Sequence, residues 1–166
     1  MDNKAEFCKA IKQHQNSMYA LAFSIVKNEH DAGDVVSEAI LKAYSKIHML
    51  REDDLFKPWI LRIVQNTAIE LLRKQSITCD VSQREEIAET IKGIDKESQM
   101  VLRGCINELK QPYRTVLVLY YYEGLSTKEI ADVTSSNAVS IRQQLTRGRK
   151  LLKESLEKEG FIYEGV

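Results

Sequence analysis

Between Ser136 and Lys153 the chain carries Arg142, Arg147, Arg149, Lys150 and Lys153 and no acid, a local charge of +5. Gln143, Gln144 and Thr146 lie among them. Arginine, glutamine and threonine are the side chains that hydrogen-bond base edges and phosphates from a helix in a major groove. Ile141, Leu145, Gly148, Leu152 and Leu156 recur three or four apart, the stripe that docks a helix on a core. The opposite face is left to Ser140, Gln143, Gln144, Thr146, Arg147, Lys150 and Lys153. Just upstream, Gly124 suits the left-handed position past a helix end, and Ser126 with Glu129 forms an S-x-x-E capping box. Ile130, Ala131 and Val133 give a short apolar side before Ser135, Ser136 and Asn137 break it, Asn137 being a good N-cap. Short helix, turn and long basic helix together read as a helix-turn-helix that reads DNA.

Other chemistry finds no support. There is no Gly-rich phosphate loop, H-E-x-x-H or nucleophile motif, so no enzyme and no catalytic residue is expected. Cys8, Cys79 and Cys105 lie far apart, as do His14, His30 and His48, so neither a metal nor another cofactor is expected. Free thiols and an N-terminus without a basic-then-apolar signal point to the cytosol, and no apolar run approaches a membrane span. The 166 residues balance at net charge zero, but unevenly. Asp80, Glu85, Glu86, Glu89, Asp95 and Glu97 outnumber Arg84, Lys92 and Lys96, so an acidic middle adjoins the basic end. DNA affinity should therefore be local and weak unless something else contributes.

The reading elements need a scaffold, and helical periodicity runs through nearly the whole chain. Phe7, Ile11, Met18, Leu21, Ala22, Ile25 and Val26 keep one face from Ala5 to Lys27. After a polar break with a cap expected at Asp31, a second helix has Val35, Val36, Ala39, Ile40, Ala43, Tyr44 and Ile47 inside. Its outer side bears Asp34, Ser37, Glu38, Leu41 and Lys42, and Leu41 hints at a partner surface. A polar loop, Arg51 to Lys57, leads to Pro58 in the first turn of a third helix. There Trp59, Ile60, Ile63, Val64, Ala68, Leu71 and Leu72 form the stripe, opposite a polar line of Arg62, Asn66, Glu70 and Arg73. Arg73 and Lys74 suit both the helix dipole and a phosphate. The expected fold is all-α: helical domains over 1–75 and 99–160, joined by a charged linker over 76–98 in which Ile87, Ile91 and Ile94 could give a short helix. Val101, Leu102, Cys105, Ile106 and Leu109, then Tyr113, Val116, Leu117 and Tyr120 after Pro112, supply two helices before the helix-turn-helix.

In this order the motifs resemble the extracytoplasmic-function (ECF) sigma factors of bacteria, compact two-domain members of the sigma-70 superfamily. HDAGDVVSEAILKAYSKI with FKPWILRIVQNTAIELLRK resembles sigma region 2, and INELKQPYRTVLVLYYYEGLSTKEIADV with IRQQLTRGRKLLK resembles region 4. The resemblance implies that Asp34, Val35, Glu38, Leu41 and Lys42 dock on the β′ coiled coil of core RNA polymerase, with region 4 on the β flap. It implies that the loop Arg51 to Lys57 and Arg62, Asn66, Arg73 and Lys74 meet the minus-ten element, where a base leaves the stack. Arg142, Gln143, Thr146 and Arg147 match positions facing the minus-35 major groove, with Arg149 and Lys150 near phosphates. An anti-sigma factor, perhaps one that holds the protein at the membrane, is the implied regulator. The chain departs from the pattern at Ser37, where Gln is typical, at Glu70, where Asp is common, and at Ser135 and Ser136, which replace the turn Gly and an apolar residue.

Two other classes remain open on sequence: a conventional regulator that binds duplex DNA unaided, and a helical adaptor that binds no DNA. The first would footprint an operator without polymerase. The second would show no salt-dependent DNA affinity.

Overall fold

A computed structural model describes residues 4–50, 55–76 and 96–161. Its helices are α1 (Lys4–Val26), α2 (Glu29–Lys46), α3 (Phe56–Gln75), α4 (Lys96–Glu108), α5 (Tyr113–Leu117), α6 (Thr127–Thr134) and α7 (Ala138–Lys158). A single 3-10 turn, Ile47–Met49, follows α2, and α5 widens into a π-helical stretch, Val118–Tyr122. No strand occurs among the described residues. Arg51 to Asp54 of the expected loop, and Ile87, Ile91 and Ile94 of the expected linker helix, lie outside them.

Helices α1, α2 and α3 pack against one another. Phe7, Ile11, Met18, Leu21, Val35, Ala39, Ile60 and Val64 meet in their core, as the apolar periodicities require. Burying a side chain of that size contributes about 1.5–3 kcal/mol, which short helices need because isolated ones are marginal in water. The second unit packs α7 against α4, α5 and α6. Val116, Leu117, Ile130, Val133, Ile141 and Leu145 are buried there.

Helix ends follow local chemistry. The cap of α2 is Asn28, not Asp31: its extended backbone lets its side chain accept the Asp31 N–H at 2.9 Å. Asp31 sits inside the first turn instead, where a negative charge favours the positive end of the helix dipole. The capping box forms as read, with Ser126 N–H donating to Glu129 at 2.8 Å and Glu129 N–H donating to Ser126 Oγ at 3.2 Å. Gly124 is left-handed at φ 65°, and the Leu125 N–H returns to the Leu119 carbonyl at 3.1 Å to close the helix before it.

The two units do not stand apart. Helix α3 packs on α6, and α1 packs on α5 and the π-helical stretch, so one buried apolar cluster runs through both. This explains burial beyond the amphipathic stripes. Ala20, Phe23 and Ser24, on the back of α1, are buried, as are Leu61 and Gln65 beside the expected stripe of α3.

Candidate functional site

Helix α7 starts where its sequence says it should. Asn137 accepts the Ser140 N–H at 2.8 Å, and Ile141, Leu145 and Gly148 anchor the inner face. Gly148 matters by its size: an added Cβ would meet the Leu117 side chain and Tyr113 Cβ at 3.4 Å, so α5 and α7 approach closely there. With that face fixed, Arg142, Gln143, Thr146, Arg147, Arg149 and Lys150 are all exposed. The Thr146 hydroxyl donates to the Arg142 carbonyl at 3.0 Å, which commits its proton and leaves its lone pairs and methyl for a partner. Arg149 differs from its neighbours. Its Nε donates to Tyr121 Oη at 2.7 Å, and its guanidinium lies 5.2 Å and 5.7 Å from the Tyr120 and Tyr121 ring centres. It fastens α7 to the end of the π-helical stretch, a cation–π contact. Val139, more than half exposed in the first turn of α7, joins this surface as an aliphatic contact the sequence reading passed over.

The second surface lies on α3. Arg62, Asn66, Arg73 and Lys74 are exposed, as their polar line implied. An open groove of about 710 Å³ is lined by Asn66, Ile69, Glu70, Arg73, Lys74 and Ser76, so it gathers all of these but Arg62. Ile69 supplies an apolar patch, and an exposed aliphatic on a polar face was the available signal for it. Glu70 would spoil an anion path if unpaired. However, Lys42 lies 2.8 Å from its carboxylate and Lys74 3.4 Å, and Lys42 first among them holds its pKa below the ordinary carboxylate range. An apolar patch, an amide and two cations around a groove can hold an unstacked base and its phosphates.

On α2, Asp34, Glu38 and Leu41 are exposed, Leu41 at 72%. Val35 corrects the expectation: at 1% exposure it belongs to the core, because its position falls on the inner stripe, and it has no surface to offer a partner. Lys42 is half-buried and shared, 2.8 Å from both Glu38 and Glu70, which raises its pKa. It ties α2 to α3 as much as it offers charge outward. Ser37 donates to the Gly33 carbonyl at 2.9 Å within its own helix. His30, Asp31 and Asp34 bring donor atoms within 4.8 Å of one another, although the histidines looked scattered in sequence. Asp31 is already engaged by Gln75 Nε2 at 2.9 Å and by the cap of α2.

Polar contacts also cross between the units. Arg114 is 5% exposed; its Nε donates to the Ser24 carbonyl and its Nη1 to the carbonyls of Leu109 and Asn107 at 2.9 and 3.2 Å. Burial pushes its pKa down to about 10, so it remains a cation at neutral pH. Lys57 Nζ lies 3.1 Å from the Glu123 carboxylate and donates to the Glu123 carbonyl at 2.8 Å. Lys57 thus opens α3 facing the second unit, although the sequence placed it in a DNA-facing loop.

These surfaces match known proteins in the same order. Residues 10–77 match the family described as Sigma-70 region 2, and residues 99–152 match Sigma-70, region 4. The RNA polymerase sigma factor SigV of Bacillus subtilis (strain 168) is 37% identical over 157 residues, covering 94% of each chain. The ECF RNA polymerase sigma factor SigW of the same organism is 29% identical, covering 90% of this chain and 88% of its own. Among solved structures, the sigma factor RpoE of Bartonella quintana, in complex with the anti-sigma factor NepR, superposes with a TM-score of 0.77 at 19% identity. That match covers 92% of this chain and 97% of RpoE. With its two sigma regions in order and a relative of that identity along almost its whole length, this chain belongs to the extracytoplasmic-function sigma factors of the sigma-70 family, initiation factors and not enzymes.

Proposed function

We propose that this sigma factor brings core RNA polymerase to promoters by reading a minus-35 element with α7 and a minus-ten element with the α3 groove, and that it promotes melting there. The observation that carries this is the pairing of two outward surfaces of different character in one chain. One is a cationic, amide-bearing helix face fit for a major groove; the other is a groove with apolar, amide and cationic walls fit for an unpaired strand. Arg142 and Arg147 are five residues apart, about 140° around the helix, so they cannot read one base pair alike. One should read a base edge, most plausibly guanine, and the other hold a phosphate. Asp34, Glu38, Leu41 and the shared Lys42 form the docking face for the β′ coiled coil, and region 4 meets the β flap. Control by an anti-sigma factor follows the family, and the solved RpoE was captured with NepR. Among the described residues no helix is long and apolar enough to cross a membrane. Any membrane tether would therefore be supplied by that partner.

The test is in vitro transcription with core polymerase and mapped start sites, on a library varied in both elements. Arg142→Ala and Arg147→Ala should each weaken minus-35 binding by about 1–3 kcal/mol, with relaxed specificity in the base reader alone. Glu38→Lys with Leu41→Ala should lower affinity for core polymerase with helicity unchanged, because exposed substitutions usually shift stability by less than about 0.5 kcal/mol. Specific start sites without core polymerase dependence, or none with it, would sink the reading.

A further inference from the structure

We infer that the free chain has a docked resting form in which either promoter element can be touched but the two cannot be bridged, and that its latch is a helix cap supplied across the domain boundary. The consequence for promoters rests on the reading proposed above; the docking itself does not.

The latch starts from an unmet need of α1. A helix ends with carbonyls that have no partner and with the negative end of its dipole, which a nearby cation favours. The last turn of α1 has no basic residue. The chain turns out of the helix at Lys27, whose backbone is left-handed at φ 56°, and the Lys27 N–H returns to Phe23. The Ser24 carbonyl is met instead by two donors from the second unit. Gln111 Nε2 donates to it at 3.0 Å, and Arg114 Nε donates to the same oxygen. These residues are 87 and 90 positions away in sequence. Arg114 also gathers the carbonyls of Asn107 and Leu109, so the α4–α5 junction and the end of α1 share one buried cation.

A second contact lies on α3. Glu123 has a side chain 4% exposed, and a cation from the first unit, Lys57, meets its carboxylate. Lys57, Leu61 and Gln65 follow at four-residue intervals and share one side of α3. Leu61 is buried, and Gln65 Oε1 is buried with no hydrogen-bond partner among the described residues. An apolar contact with two polar latches and one orphaned amide is built to close and also to reopen, since water satisfies the amide once the units part.

Docking leaves both reading surfaces uncovered: the α7 face and the groove residues Asn66, Arg73 and Lys74 are exposed in the docked form. What it removes is span. Elements about 25 base pairs apart lie about 85 Å apart along a duplex. A compact chain of this length has a radius of gyration of about 15 Å, hence a breadth of about 40 Å. Residues 77–95, which join the units in sequence, could reach at most about 65 Å, enough to bridge the elements once the units separate. Bridging therefore requires the Ser24 and Glu123 contacts to break, and a scaffold that holds the two units apart would drive the opening.

Small-angle scattering of the full chain should give a radius of gyration of about 15 Å. Glu123→Lys, which sets a cation against Lys57, should raise it by several ångströms, and Lys57→Glu added to it should restore compactness. Gln111→Ala with Glu123→Gln removes one donor at each contact without adding a charge clash, and serves should Glu123→Lys fail to fold. This double variant should bind a fragment carrying both elements, with its minus-ten strand unpaired, about tenfold more tightly than wild type. It should bind a minus-35 duplex alone with unchanged affinity. An expanded wild type, no expansion in either variant, or equal gains on both DNAs would overturn the inference. Failure of the wild type to start transcription with core polymerase would instead remove the promoter reading and leave the scattering result standing.

Discussion

Ser135 ends α6 in the left-handed conformation, at φ 53° and ψ 43°, where a residue with a side chain is strained. Its N–H still closes the helix on the Ala131 carbonyl, so the strain is local and the turn between the two reading helices survives it. Left-handed backbone disfavours an L-residue by about 1–2 kcal/mol, while glycine returns about 0.5–1 kcal/mol of that in chain entropy. Ser135→Gly should therefore raise stability by up to about 1 kcal/mol, read as a higher urea midpoint with unchanged slope. This turn shows what the sequence makes legible. The Ser126 and Asn137 caps could be read because both partners of each bond lie three residues apart. The Ser24 carbonyl could not, because a backbone acceptor has no side-chain signature and its donors come from the other end of the chain. Lys42 lies between these cases: its Glu38 partner is visible at helical spacing, whereas Glu70 is visible only once α2 and α3 have packed.

At the scale of elements, the hydrophobic stripes found each helix because a surface helix must bury one face. They missed the extra burial at Ala20, Phe23, Leu61 and Gln65, since a second buried face looks in sequence like ordinary small or mixed residues. The same limit put Val35 with the docking residues, although it is adjacent to Asp34 and therefore about 100° around the helix from it. Gly148 offers a direct test of how tightly α7 is seated. Its Cβ position lies at the near edge of ordinary contact with Leu117 and Tyr113. Gly148→Ala should be tolerated, because alanine favours a helix by about 1 kcal/mol over glycine and offsets the crowding. Gly148→Leu should force α7 off α5, destabilising by about 1–3 kcal/mol and weakening minus-35 binding through altered placement of Arg142 and Gln143. Thermal unfolding and duplex binding, measured on the same two variants, separate the effects.

For the molecule as a whole, one core shared by both units should make unfolding a single cooperative transition by calorimetry. Its pH dependence follows from groups near the junction and on the surface. Burial first, and then Lys57, lower the pKa of His14 below 6.5, with Glu123 opposing them; the ring also stacks on Phe56 at 5.8 Å. The folded state thus binds fewer protons at His14 than the unfolded state does. Stability from this source is whole above about pH 6.5 and falls as pH drops below it toward the lowered value. Glu70 and Glu129, whose pKa values are lowered by Lys42 and by the Ser126 cap, lose their contributions later, as pH falls below about 4.5. Midpoint temperatures measured from pH 8 to 4 should decline in these two stages. His14→Gln should flatten the first stage and spare the second; an unchanged first stage would assign it elsewhere.

The wide turn at Val118–Tyr122 also governs the kind of mutation this protein can absorb. There the Glu123 N–H reaches back five residues to the Val118 carbonyl, at 3.2 Å, so the segment holds one residue more than a regular helix would. That residue sets the phase in which Tyr121 meets Arg149 and Glu123 meets Lys57. Removing any one residue between 118 and 122 would let the segment wind as a regular helix and rotate all that follows by about 100°. The change need not disturb the buried side chains on either side. A lineage could exchange many of these five side chains freely, yet a single lost codon would misalign the reading head from the body that carries it.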